Sequence, residues 1–155
     1  CGPGAGRRTV PGKPGGRGTA AEGGSIVYRT IVVGAHKSDS ARAAVDQATE
    51  LARTTGAALH LVTSISKDAG PESAERKDAE RSLEAMLVSL GTVPCSTHVI
   101  PGDVAKGIVS VATDVGADLI VVGNKRMQGP GRVLGSVPND VAHTAPCAVL
   151  IAKTT

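Results

Sequence analysis

The chain has 155 residues, 20% of them charged, with one Tyr and neither Phe nor Trp. That length suits one domain with a single core; a core without aromatics is built from Val, Ile, Leu and Ala, which argues against a nucleic-acid reader that stacks bases on rings. The formal net charge of +3 belongs to residues 1–24, where Arg7, Arg8, Lys13 and Arg17 face only Glu22, while the remainder balances 13 cations against 13 anions, so the alkaline pI is poor support for a nucleic-acid surface.

Residues 1–24 hold nine of the twenty glycines and three of the nine prolines. Such a stretch has too little apolar surface to offset its ordering entropy. It reads as a disordered basic tail, and Cys1 in place of an initiating Met suggests a truncated, processed or vector-derived start. The three cysteines, Cys1, Cys95 and Cys147, have no paired spacing, so neither a disulfide framework nor a zinc site is expected. Cys147 reads as a small buried hydrophobe within a strand. With no secretory apolar segment and no long apolar span, the expectation is a soluble, cytoplasmic protein without membrane contact.

The ordered domain is expected over residues 25–155. A first strand runs from Ile26 to Gly34, densest in apolar residues at Ile31–Val33. Ser38 or Ser40 then caps a helix with Ala41, Ala44, Val45, Ala48, Leu51 and Ala52 on one face, ended by Gly56. Ala57–Thr63 is a second strand. From about Glu72 a second helix buries Ala79, Leu83, Met86, Leu87 and Leu90 and stops at Gly91. Cys95–Ile100 is the third strand, and Asp103 caps a third helix with Val104, Ile108, Val111, Ala112 and Val115 inward, ended by Gly116. Leu119–Val122, a helix from about Val137 to Thr144, and Cys147–Ala152 complete the pattern. Alternation at this spacing predicts an α/β doubly wound fold, a five-stranded parallel sheet with helices on both faces. No internal repeat is visible.

In such sheets ligands bind beyond the carboxyl ends of the strands, where the winding reverses. The segments expected there are Gly34-Ala35-His36, Val62-Thr63, Gly102-Asp103 and the loop after Val122-Gly123. That loop carries Gly123, Gly129, Gly131 and Gly135 with Lys125, Arg126 and Arg132, and no acidic residue occurs between Asp118 and Asp140. Ser136 and Pro138 then start a helix. Glycines that admit close backbone approach, followed by a helix start, form an arrangement that receives phosphate. The plain alternatives are a tight loop with solvated charges and, for Ser136, an N-cap. His36 lies at the switch point, yet no Ser, Cys or carboxylate is spaced with it for catalysis. His60 reads as a packing residue within a strand, Asp103 as an N-cap, and His98 and His143 lack metal-ligand spacing.

From about Tyr28 to Thr155 the chain resembles the universal stress proteins, small Rossmann-like α/β domains of the HUP type. Val33-Gly34-Ala35-His36-Lys37-Ser38 stands where their first strand typically ends Val-Gly-Thr-Asp-Gly-Ser. Ala117 to Gly123 matches their Ala-Asp-Leu-Ile-Val-Val-Gly. ATP-binding members continue as G-x2-G-x9-G-[ST]; here Gly123 and Gly135-Ser136 remain, followed by Val137-Pro138-Asn139-Asp140-Val141 and Ala145-Pro146-Cys147. Arg126 takes the place of the second glycine, the loop is one residue shorter, and His36 replaces the acidic residue that lies against the nucleoside. An arginine there sacrifices close backbone approach and adds a charge, while a neutral histidine can still accept through one ring nitrogen.

The resemblance implies a regulatory stress-response module that binds ATP or another adenine nucleotide, with or without Mg2+. Adenine would lie near Leu61, which occupies the family's adenine-packing position and is otherwise a core leucine. Ribose would lie near Ala35, His36 and Gly123, and phosphates on the Gly123–Val137 loop, so that Val122, Lys125, Arg126, Gly135, Ser136 and Val137 complete the nucleotide-binding set. No catalytic residue is assigned, and any hydrolysis would be slow, because neither a general base nor a second metal-binding carboxylate is in view. Family members also pair through the last strand, which implies a homodimer over Cys147–Ala152. The alternative is a domain that has lost ATP and serves as a dimerisation or protein-interaction module. An enzyme or phosphoacceptor fares worse, since Ala35-His36-Lys37 offers no acidic cluster for magnesium. Ser38-Asp39-Ser40 lacks the preceding glycines of a pyrophosphate loop.

Overall fold

The computed structural model describes residues 28–35, 39–124 and 136–153. The tail 1–24, His36, Lys125, Arg126, Gly129, Gly131, Arg132 and Gly135 lie outside the described residues. The elements are β1 (Thr30–Gly34), α1 (Asp39–Thr55), β2 (Ala58–Ile65), α2 (Ala74–Leu90), β3 (Cys95–Pro101), α3 (Val104–Val115), β4 (Leu119–Asn124), α4 (Ser136–Thr144) and β5 (Ala148–Lys153). All five strands are parallel, in the order β3-β2-β1-β4-β5. This is the doubly wound α/β sheet expected from the alternation.

The strand sequences divide their side chains between two layers by simple alternation. Ile31, Val33, Leu59, Leu61 and Val121 join Ala44, Ala48, Leu83 and Leu90 in a core on the α1 and α2 side. Val32, Val62, Ile120 and Val122 join Ile108, Val111, Ala112 and Val141 on the side of α3 and α4. Strands buried on both faces need apolar residues at successive positions, and Ile31-Val32-Val33 and Leu119 to Val122 supply them. Aliphatic side chains make up most of both layers, with Tyr28, Met86 and Cys95 on the α1/α2 side and Cys147 on the other.

Helix limits follow local chemistry. Ser73 caps α2 by accepting from the Arg76 amide at 3.1 Å, so the helix begins at Ala74 rather than near Glu72. Asp103 caps α3 as expected, its Oδ1 accepting from the Lys106 amide at 3.0 Å. Gly116 ends α3 at φ +66°, a left-handed conformation that glycine adopts without a Cβ penalty. On α2 only Leu83 and Leu90 are buried; Ala79, Met86 and Leu87 are half-buried. Cys147 is half-buried and precedes β5, which starts at Ala148. The buried cysteine is instead Cys95, at the start of β3, where burial pushes its thiol up to about 11.

Candidate functional site

From β1 the chain winds outward through α1, β2 and α2 to β3, then crosses to the opposite side of β1 to form β4 and β5. The winding therefore reverses between β1 and β4, which pair through Ile31–Leu119, Val32–Ile120 and Val33–Val121. Beyond these pairs the two strands end in Gly34-Ala35 and Gly123-Asn124, where connections leave for opposite faces. That is the crevice a doubly wound sheet offers a ligand.

Several contacts hold its rim. Ala35 continues past β1, its amide donating to the Val62 carbonyl at 2.8 Å. A Cβ on Gly34 would lie 3.1 Å from Cδ1 of Ile108 and 3.7 Å from Cγ1 of Val122. Glycine here lets α3 settle close over the end of β1. The Gly102 amide donates to the Ile65 carbonyl at 2.9 Å, at φ +98°, and turns the chain into the capped start of α3. After β2, Glu75 accepts from the Ser66 amide at 2.9 Å and faces the Ser66 hydroxyl at 3.3 Å. The start of α4 completes the rim, with Ser136 exposed, Val137 half-buried and Pro138 buried.

The sequence-derived site residues separate into groups. Gly123, Ser136 and Val137 keep accessible surface at the rim. Ala35 and Val122 lie at the right end of the sheet but are 2% exposed, so backbone and neighbours present that surface. Leu61 is 0% exposed in mid-strand, beside Val33 and Thr97, and belongs to the α1/α2 core. The β2 residues nearer the rim are Thr63, Ser64 and Ile65, because β2 runs two residues beyond the expected Thr63. Asn124, 1% exposed at the end of β4, was also not singled out; a polar side chain buried beside a glycine-rich loop is the signal that points to it. His36, Lys125, Arg126 and Gly135 lie outside the described residues.

His60 and His98 are on the sheet, not at the crevice. Their Nδ1 and Nε2 atoms stand 3.0 Å apart. Burial, then the neighbouring His98, pushes His60 down to about 4; burial also lowers His98, against the opposing charge of Asp114. Burial and then Asp118 raise the Cys147 thiol, so it is no activated nucleophile. His143 Nδ1 lies 2.9 Å from the Asn139 carbonyl within α4. Among the described residues no helix is long and apolar enough to cross a membrane.

Comparison with known proteins agrees with this architecture. The model of the Universal stress protein family matches residues 27–153. A universal stress protein of Mycobacterium tuberculosis is 32% identical over 148 residues, covering 83% of this chain and 98% of the relative. A universal stress protein solved in complex with cAMP superposes with a TM-score of 0.68 at 34% identity, over 84% of this chain and 100% of the other. One from Archaeoglobus fulgidus, solved in complex with dAMP, has a TM-score of 0.64 at 27% identity, over 83% of this chain and 100% of the other. The chain belongs to the universal stress protein family.

Proposed function

We propose that this chain is a regulatory module that binds an adenine nucleotide across the carboxyl ends of β1 and β4, with at most slow hydrolysis. The observation that carries this reading is the switch-point crevice between Gly34-Ala35 and Gly123-Asn124, with the start of α4 on its rim. Universal stress proteins of the same fold, solved with cAMP and dAMP, support adenine as the base. ATP, AMP and cyclic AMP all fit this reading, with or without Mg2+.

The phosphates are assigned to the amides of Gly135, Ser136 and Val137, because a helix start offers unpaired donors and partial positive charge. Arg126 or Lys125 closes over them, and the ribose lies near Ala35, His36 and Gly123. Adenine is assigned to the β2 side of the crevice, with Leu61 in the packed floor beneath rather than against the base. Calorimetric titration with ATP, AMP and cyclic AMP tests the reading. Arg126→Ala is expected to weaken ATP by about 1–3 kcal/mol, the scale of a charge-assisted hydrogen bond, and adenosine hardly at all. No binding of any of these nucleotides at millimolar concentration would overturn it.

A second reading, a dimerisation or interaction module, draws on β5. This strand is a sheet edge, and Val149, Leu150 and Ile151 are only half-buried. Beside it an open groove of about 340 Å³ is lined by Asp46, Gln47, Glu50, Leu51 and Leu150. An apolar edge of this kind calls for a cover, and a homodimer through the last strand supplies one. Sedimentation showing a monomer at micromolar concentration would refute the dimer.

A further inference from the structure

The half-buried histidines of β2 and β3 have no part in the crevice. His60 and His98 are 38 residues apart in sequence, yet the sheet sets His60 Nδ1 3.0 Å from His98 Nε2. Their ring centroids are 5.2 Å apart and the ring planes are tilted by 32°. His60 lies between Leu59 and Leu61, which enter the α1/α2 core, so its ring projects to the α3 side. His98 alternates in the same way with Val99, and Ile100 follows it on the α3 side. The register pairs His60 with Ser96 and Val62 with His98, making the two rings diagonal neighbours on one face.

Helix α3 brings a carboxylate to the same place. Gly107 sits directly over Ile100, since a Cβ there would fall 3.0 Å from Cγ2 of Ile100. Asp114 is seven residues further on, about two helical turns, and so occupies the same stripe above β3. Its negative charge acts on His98. Burial keeps both imidazoles neutral near pH 7, the form in which a ring nitrogen binds a metal. Both rings are half-buried and so keep part of their surface in contact with solvent.

We propose that His60 Nδ1 and His98 Nε2 chelate one late divalent transition cation, of the copper(II), nickel(II) or zinc(II) class that imidazole binds, with Asp114 contributing charge and water completing the coordination. Two imidazole nitrogens already 3.0 Å apart need only small ring rotations to face one cation, and imidazole is a ligand for copper, nickel and zinc alike. Among the described residues no three His, Cys, Asp or Glu side chains already surround a metal position, so the protein supplies two ligands and leaves the remaining positions open. Without metal, one ring donates its N–H to the other. Binding moves that proton to the far nitrogen of its own ring, so both facing lone pairs become free and no proton is released.

The test is calorimetric titration of the full chain with NiCl2 at pH 7.5, in two buffers of different ionisation enthalpy. One equivalent is expected to bind with the same heat in both buffers. His60→Gln and His98→Gln are each expected to lose at least tenfold in affinity, whereas His143→Gln is expected to match the parent. Proton release on binding would mark a thiolate site and overturn the proposal, as would affinity unchanged in both variants or no binding. Copper(II) electron paramagnetic resonance of the parent chain reads the ligands without substitution. Two-nitrogen ligation is expected; sulfur ligation or a single nitrogen overturns the assignment.

Discussion

At the amino edge of the sheet the chain is tied to itself by a side chain, whereas at the carboxyl edge it ends in glycines and helix starts. Asp118, just ahead of β4, accepts from the amides of Arg29 at 2.8 Å and Thr30 at 3.1 Å, while its own amide donates to the Thr30 carbonyl at 2.9 Å. Nearby, Ala58 donates to the Arg29 carbonyl at 3.0 Å and Leu59 to the Pro94 carbonyl at 2.8 Å. Across the sheet, β1 and β4 diverge at Gly34-Ala35 and Gly123-Asn124, and α4 begins with an exposed serine. The amino edge therefore satisfies backbone donors with the chain's own groups. At the carboxyl edge the Ala35, Gly102 and Ser66 amides are satisfied within the chain as well, and it is the start of α4 that is proposed to offer donors to a ligand. Stability and binding should respond to different substitutions.

The largest separation is expected at Leu61. Truncating this fully buried side chain by Leu61→Ala should cost about 2–5 kcal/mol in urea unfolding, through lost burial and a residual cavity. Nucleotide affinity of the folded fraction should stay within twofold of the parent. A selective loss of affinity with little loss of stability would return Leu61 to the binding site and break the comparison.

The histidine pair gives the next effect, and its sign follows from linkage. His60 is held near 4, below its ordinary value of 6.5, by burial and then by His98. Between those values the unfolded chain binds more protons, so stability rises with pH. The contribution is complete above about 6.5 and is lost as pH falls toward 4. His98 is lowered in the same sense, while Asp114 opposes that shift. Because the rings are only half-buried, solvent screening reduces the expected contribution of His60 to about 1–2 kcal/mol. Urea midpoints of metal-free protein should fall from pH 7 to pH 4.5, and His60→Asn should fall by less. Parallel curves would show that the pair is not the acid-sensitive element.

Much of this architecture was legible because the relevant signals are local. The helix faces, the Asp103 cap and the stops at Gly56, Gly91 and Gly116 each depend on residues within a turn or two. All three glycines have positive φ. Strand ends were less legible, since a strand stops where its neighbour stops accepting hydrogen bonds. Thus β2 reaches Ile65 and β4 reaches Asn124, against the expected Thr63 and Val122. The displacement matters for the site: Leu61 falls into mid-strand, and Thr63, Ser64 and Ile65 approach the rim. The His60–His98 contact depends on the β2–β3 register, which spacing along one chain does not contain. Gly107 looks like a weak point inside a helix until its close approach to Ile100 is seen.

The smallest effect offers the sharpest test of the division between edges. Within the stretch Ala117 to Gly123, Asp118 reads as part of a family pattern that leads into the nucleotide loop. Its place in the structure is at the opposite end of β4, where its carboxylate receives two amides at the start of β1. Asp118 and Arg29 are exposed and Thr30 is half-buried, so water replaces much of what is lost when the carboxylate is removed. Asp118→Ala is expected to cost about 1 kcal/mol of stability, with faster hydrogen exchange at the Arg29 and Thr30 amides. Adenine-nucleotide affinity should remain unchanged, because the substitution is separated from the crevice by the length of β4. An affinity loss comparable to that expected for Arg126→Ala would show that the order of β1 is transmitted to its carboxyl end, making the two edges one coupled element.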